Sequence, residues 1–148
     1  MSDDNLFTFV EVSSLRVGSY IVHNERPCKI SEINVSKTGK HGAAKAVMTM
    51  KDIFTGSKHC TTYSTADKVQ APIIQTREYI LIDFTDDDDL TVLNNKGEEE
   101  VYKVGKHEIL RDIENNIRND FQQGKQIELK MIFSMNDYGI TTFISKSE

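Results

Sequence analysis

The sequence contains little cysteine and no long apolar run. Cys28 and Cys60 are the only cysteines in 148 residues, and neither belongs to a C-x-x-C pair. They could form at most one disulfide, which indicates a reduced, intracellular protein. No stretch approaches the roughly 20 apolar residues that span a bilayer, and residues 1–5 lack a signal-peptide pattern. We therefore expect a cytoplasmic protein with no membrane partner.

Patterns for catalysis and for metal or nucleotide binding are also missing. The four histidines share no i, i+4 or H-x-H spacing, and no Ser/His/Asp or Cys/His arrangement stands out. Gly39-Lys40 lacks the remaining P-loop residues, since Asn34 and His41 occupy those positions. The aspartate run 86–89 lacks the EF-hand ligand pattern and predicts a solvated hairpin turn. We expect no catalytic residues, no metal and no cofactor.

Charge divides the chain into two unlike halves. The net charge is −5 overall. Residues 1–72 carry nine Lys/Arg and seven Asp/Glu, 9 − 7 = +2, and residues 73–148 carry nine and sixteen, 9 − 16 = −7. The asymmetry suggests two units, of which the mildly basic first could face a polyanion.

The first half has the pattern of a small all-β barrel. Short alternating runs predict strands over 7–12, 19–23, from Pro27 onward and over 58–63. A change of apolar phase between Ile30 and Ile33 predicts a β-bulge. The polar segment 65–72 ends in proline, and we place the domain junction near residues 70–72, where only a short linker fits. The predicted domains are therefore 1–72 and 73–148.

The second half has the element order of an OB-fold. Strands are predicted over 79–84, 90–93 and 101–104. Apolar residues from Ile109 to Phe121 recur at helical spacing, with Gly124 as the stop. Strands over 127–135 and 138–144 close the chain. Three strands, a helix and two strands match the five-stranded OB barrel, which often binds nucleic acid.

The stretch from Ser36 to Lys45, S-K-T-G-K-H-G-A-A-K, is the strongest functional candidate. Alternating apolar runs on both sides predict a β-hairpin, with glycines suited to its turn. From Ile33 to Lys51 the only charged residues are lysines. On composition this is an ordinary exposed basic turn. The sharper hypothesis is a loop that presents the amine of Lys40 to a polyanion or a modifying enzyme.

These residues resemble a known loop. The run Lys37-Thr38-Gly39-Lys40-His41-Gly42, followed by Ala44-Lys45, closely resembles the hypusination loop of the translation initiation factor 5A family, relatives of bacterial elongation factor P. The runs 26–30 (R-P-C-K-I) and 52–56 (D-I-F-T-G) also match the family. Ala43 departs from it, because many members have a second histidine there.

The resemblance implies an SH3-like barrel, carrying the loop, followed by an OB-fold. It implies that deoxyhypusine synthase modifies Lys40 with an aminobutyl group from spermidine and that deoxyhypusine hydroxylase completes hypusine. The modified protein would bind the ribosome near peptidyl-tRNA and promote peptide bonds at stalled sequences such as polyproline, and also termination. Lys37, Thr38, Gly39, His41, Gly42 and Lys45 would support modification and contacts with tRNA or rRNA.

The residues alone leave an alternative open. A generic RNA-binding β-barrel module could grip RNA with basic loops and exposed aromatic residues such as Tyr79 or Tyr138. Binding that is independent of Lys40 would favour this alternative.

Overall fold

The protein consists of two compact units, each with its own apolar core. The computed structural model describes residues 6–37 and 44–147. The first unit comprises Met1–Ile73 with Ser134–Asn136, and the second comprises Ile74–Phe133 with Asp137–Glu148. Both are built from antiparallel strands, so the fold is all-β.

The first unit is the SH3-like barrel. Its strands are β1 (Phe7–Glu11), β2 (Tyr20–His23), β3 (Arg26–Ser36), β4 (Lys45–Asp52), β5 (Lys58–Ser64) and β6 (Lys68–Pro72). Strands β2 to β5 form a four-stranded sheet in sequence order, and β1 pairs with β6. A short 3₁₀ turn, Val12–Ser14, follows β1.

Alternating side chains of β4 supply much of the first core. Ala46, Met48 and Met50 are at most 1% exposed, whereas their neighbours along the strand point outward. The register between β3 and β4 shifts between Ile30 and Glu32, which confirms the predicted bulge. The shift lets β3 bury Ile30 and still stay paired with β4 as far as Ser36.

The polar segment 65–72 is mostly a strand. β6 pairs with β1 from Glu11↔Lys68 to Phe7↔Pro72. Although the segment is mainly polar, Val69 packs against the first core. Pro72 is tolerated because it ends an edge strand, where its missing N–H breaks no interior ladder. The polar composition of this segment did not predict a strand.

The second unit has OB-fold topology. Its elements are β7 (Gln75–Phe84), β8 (Asp89–Leu93), β9 (Glu99–Lys103), α1 (Arg111–Gln122), β10 (Gln126–Ser134) and β11 (Asp137–Lys146). The strand order is β11-β10-β7-β8-β9, so the strand after the helix returns to pair with the first strand of the meander. This confirms the fold expected from the element order.

The helix begins slightly later than its apolar spacing suggested. Ile109 lies in a separate 3₁₀ turn, Glu108–Leu110, and is half exposed. Ile117 is fully buried. Gly124, with φ of +81°, stands just beyond the end of α1 in the left-handed region that glycine adopts readily.

The acidic turn 86–89 is solvated over only half its length. Asp86 and Asp87 are exposed. Asp88 pairs with Arg118 of α1, and Asp89 pairs with Lys103 at 2.9 Å. The turn therefore links the β7–β8 hairpin to the helix as well as facing water.

Candidate functional site: the hairpin of β3 and β4

The candidate site lies at the loop end of the β3–β4 hairpin, where the two strands are connected. Antiparallel pairing continues to Ser36↔Lys45, so residues 37–44 connect the two strands. Lys37 and Lys45 are exposed at the two ends of this connection. The structure therefore brings these two predicted residues to the same end of the hairpin.

The other predicted site residues lie outside the described residues. They are Thr38, Gly39, Lys40, His41 and Gly42, together with Ala43. Their place in the site remains a prediction from the sequence.

The two strands of the hairpin have different surroundings near the loop. Strand β2 pairs with β3 from His23↔Arg26 to Tyr20↔Lys29, and Gly18 and Ser19 bond to Ile30. Beyond Ile30, β3 is an edge among the described residues. Val35, near its end, is 61% exposed. In contrast, β4 pairs with β5 up to Lys45↔Ser64. The loop therefore leaves the barrel from one exposed strand and returns along one that is paired on both sides.

Hydrogen bonds hold the β4 end of the loop to the β5–β6 turn. The Thr65 N–H donates to the Ala44 carbonyl at 2.8 Å. Asp67 closes this turn, because its carboxylate accepts the Ser64 N–H at 3.0 Å and its own N–H donates to the Ser64 carbonyl. The Asp67 carbonyl in turn accepts the Val12 N–H at 2.9 Å. This chain of contacts ties the return of the loop to the strand pair β1–β6.

The two family-like runs that flank the loop meet at the base of the hairpin. The Arg26 Nε–H donates to Asp52 Oδ2 at 2.8 Å, and Asp52 Oδ1 accepts the N–H groups of Phe54 and Thr55. Asp52 also stands opposite Cys28 in the strand register. The sequence identified both runs but not their contact. Counting residue pairs outward from the predicted turn would have brought the two runs near each other, but the Arg26–Asp52 contact itself depends on the register shift at the bulge.

The pKa shifts at the base of the hairpin indicate a structural role for its residues and not a reactive one. Burial alone would raise the pKa of Asp52, but hydrogen bonds from Arg26 and from the Thr55 and Phe54 N–H groups outweigh it and lower that pKa. Burial, reinforced by the Asp52 charge, raises the pKa of the Cys28 thiol to about 11. A buried thiol that holds its proton is a poor nucleophile, so Cys28 acts as a core residue.

The described part of the chain contains neither a cluster of potential metal ligands nor a helix that could span a membrane. Within residues 6–37 and 44–147, no group of three or more His, Cys, Asp or Glu side chains could hold a metal ion. No helix in these ranges is long and apolar enough to cross a membrane. What the hairpin does present is cationic side chains on a well-anchored strand.

The fold and site define a two-barrel protein, in which an SH3-like barrel with a lysine-flanked hairpin is followed by an OB-fold. Residues 8–67 match the family model described as translation initiation factor 5A-like, N-terminal. Residues 73–143 match the model described as eukaryotic elongation factor 5A hypusine, DNA-binding OB fold. The chain belongs to the translation initiation factor 5A family.

Individual relatives agree with this assignment. The chain is 31% identical over 135 residues to eukaryotic translation initiation factor 5A-1 of Saccharomyces cerevisiae, covering 90% of this chain and 83% of the relative. A solved structure of a family protein from Naegleria fowleri matches with a TM-score of 0.85 and 28% identity, over 93% of this chain and 98% of that chain. The Methanococcus jannaschii factor matches with a TM-score of 0.70 and 26% identity, over 94% and 98%.

Proposed function

We propose that this translation factor carries hypusine at Lys40 and acts in the cytoplasm on ribosomes that hold a stalled peptidyl-tRNA. It promotes peptide bond formation at sequences such as consecutive prolines, and also termination. Its partners are rRNA and ribosomal proteins, peptidyl-tRNA, deoxyhypusine synthase and deoxyhypusine hydroxylase. The factor acts by contact and supplies no catalytic residue.

The observation that carries this proposal is the anchored, cationic end of the β3–β4 hairpin. Lys37 and Lys45 are exposed where the strands end, and the Thr65 N–H fixes the backbone at Ala44. Lys40 belongs to the connection between them. An anchored hairpin limits where a lysine in that connection can reach, which suits a residue that works by position.

Modification of Lys40 fits the chemistry required. Transfer of the aminobutyl group breaks its carbon–nitrogen bond to the aminopropyl part of spermidine, which leaves as 1,3-diaminopropane, and forms a new carbon–nitrogen bond to the ε-amine. The side chain becomes longer and gains a second amine. Two amines make more charge-assisted hydrogen bonds with RNA phosphate and ribose than one. Holding the acceptor end of peptidyl-tRNA in a productive pose lowers the barrier without an acid or base from the factor. Lys37 and Lys45 add phosphate contacts, and Gly39 and Gly42 form the turn.

Two measurements test the proposal. Mass spectrometry of the Lys40 peptide, from protein purified out of its own cells, is expected to show the hypusine mass increment. Lys40→Arg is expected to abolish rescue of polyproline synthesis in a reconstituted translation assay without changing thermal unfolding. The control is Lys130→Arg, which changes an exposed lysine that pairs with Glu78 in the second unit. Normal rescue by the Lys40→Arg protein would reject the assignment.

The structure weakens the alternative of a generic module that stacks bases on Tyr79 or Tyr138. Tyr79 is only 3% exposed, and its hydroxyl donates to Glu100 at 2.9 Å. The Tyr138 hydroxyl donates to the Lys103 carbonyl at 2.8 Å, and the ring packs against the second core. Neither ring presents a free face of the kind that base stacking requires.

A further inference from the structure

Three exposed lysines form a row across the outer face of the first barrel. Lys29 of β3 stands directly opposite Lys51 of β4, and Lys51 stands directly opposite Lys58 of β5. All three side chains are exposed. We call Lys29, Lys51 and Lys58 the lysine row. It is invisible in the sequence because its members are 22 and seven residues apart.

The lysine row does not serve the stability of the sheet. Like charges directly opposite each other on neighbouring strands are destabilising. The ion pairs found among the described residues include none to these three lysines. By contrast, Lys130 pairs with Glu78 and Lys103 with Asp89. An uncompensated row of cations suits an anion supplied from outside the protein.

An aromatic side chain extends the row by one strand. Tyr20 of β2 stands opposite Lys29, and the Lys29 amine lies 5.9 Å from the centre of the Tyr20 ring. The tyrosine is partly exposed. Lysines beside an accessible aromatic ring are the combination that binds a phosphate backbone and tolerates any adjacent base.

The row also shares a face of the sheet with the loop-proximal lysine. Lys45 and Lys51 are six residues apart on β4 and so point to the same side, roughly 20 Å from each other at about 3.3 Å per residue. Between them, β4 presents only Val47 and Thr49 to this face. The outer face of β4 therefore has a cation at each end, and the nearest acid is the exposed Glu32 of β3, which stands opposite Thr49.

We propose that the lysine row is a second RNA contact, which binds consecutive phosphates of the backbone independently of Lys40. This inference rests on the proposed function in one respect, namely that the polyanion is RNA. An RNA strand held here lies on the face that continues to the loop, so the row fixes the orientation of the barrel while Lys40 contacts the tRNA end.

A charge-matched pair of variants tests the row. The row variant combines Lys29→Gln, Lys51→Gln and Lys58→Gln. The control combines Lys103→Gln, Lys130→Gln and Lys146→Gln, three lysines that pair with Asp89, Glu78 and Glu128. Both lose three positive charges. Binding of a fluorescent oligouridylate to the unmodified protein is measured by anisotropy from 50 to 200 mM salt.

The salt dependence distinguishes phosphate contacts from general charge. Each phosphate contact with a single strand contributes a slope of about 0.7, so three contribute about 2, and a fourfold rise in salt weakens binding through them by roughly 20-fold. We expect the row variant to lose this component and the control to keep it. Replacing the same three lysines with arginine keeps the charge and should keep the slope. Lys51→Gln alone, the mildest change, should remove about 0.7 of it.

Several outcomes would overturn the inference. The row and control variants could lose the same salt slope, or the row variant could keep its slope. In parallel measurements, the row variant could also bind oligouridylate normally and lose binding only to phosphatidylserine vesicles or to polyglutamate. The proposed function is judged separately, because Lys40→Arg is expected to retain the row-dependent slope while losing rescue. Loss of rescue with no row-dependent slope would refute the row alone. A row-dependent slope with normal Lys40→Arg rescue would instead refute the role of Lys40 and favour the generic RNA-binding module.

Discussion

Replacing Asp52 with asparagine tests whether the base of the hairpin is held by charge. The substitution keeps Oδ1, which accepts the N–H groups of Phe54 and Thr55 at 2.8 and 3.0 Å and the more distant Arg26 Nη2–H at 3.3 Å. It replaces Oδ2, which accepts the Arg26 Nε–H at 2.8 Å, with an NH₂ group. Two donors then face each other. Asp52→Asn therefore removes the ion pair and leaves the turn contacts in place.

The expected loss follows from the burial of the two partners. A hydrogen bond to a charged group contributes about 1.5–3 kcal/mol. Asp52 has a side-chain exposure of 4% but Arg26 has 33%, so water partly replaces the lost partner of the arginine. We expect the free energy of unfolding to fall by about 2 kcal/mol, or roughly 10–15 °C in Tm for a unit of this size. Asp52→Ala also strands two backbone N–H groups, and we expect a loss of about 4 kcal/mol.

Hydrogen exchange followed by mass spectrometry measures this effect in the first unit alone. Peptides from β3 and β4 should lose protection in the Asp52→Asn protein, whereas peptides from α1 should not. Asp86→Asn is the control, because Asp86 is an exposed aspartate of the acidic turn. Unchanged protection of β3 and β4 in the Asp52→Asn protein would show that the ion pair does not stabilise the hairpin.

The same interaction predicts an acid dependence with a definite sign. The pKa of Asp52 is lowered in the folded state because its hydrogen bonds outweigh burial. The unfolded chain therefore binds the proton more readily. The stabilisation is complete above the ordinary pKa of 3.8 and is lost as the pH falls through the lowered value. This component should be absent from the Asp52→Asn protein in a pH series of unfolding midpoints.

Two further predictions concern the second unit. Gly105→Ala should destabilise it by at least about 1 kcal/mol, since φ is +90° and a new Cβ would lie 2.5 Å from Asp88 Oδ2. Gly97→Ala is the control in the same urea titration. Gly97 has φ of +77° and a Cβ there would meet nothing within 4 Å, so this variant measures the backbone cost alone. Burial raises the pKa of Glu114, despite the Gly105 N–H that donates to it. Stability from this group should therefore fall as the pH rises from about 4.5 through the raised value, and Glu114→Gln should remove that decline from a urea midpoint series. An unchanged decline in that variant would assign it to another group.

The strands could be predicted where alternation reports burial directly. In β4 each second residue from Ala46 to Met50 is buried, and the same regularity made the bulge after Ile30 visible as a change of phase. β6 was missed because only Val69 contacts the core, while the pairing that makes it a strand comes from β1, almost the whole first unit away in sequence. Local composition contains no information about such a partner.

The candidate site could likewise be predicted only in part. The loop around Lys40 could be recognised because its residues are consecutive. The Arg26–Asp52 contact and the lysine row depend on which residues stand opposite each other, and that register includes the shift at the bulge. A one-residue error in register moves a side chain to the other face of the sheet. Predicted strands without an accurate register therefore could not have assembled either feature.

The difference between the two sides of the hairpin bears on how the loop is positioned. Near the loop β3 is an edge, whereas β4 is paired with both β3 and β5, and its end is fixed at Ala44 by Thr65. A displacement at β4 would therefore break contacts with β5 and with the turn closed by Asp67, but a displacement of β3 would break contacts with β4 alone. Of the two strand ends next to the loop, the end of β4 is therefore the more firmly held. Since β4 also carries Lys51, the central member of the lysine row, an RNA strand bound to the row contacts the more firmly held of these two strands.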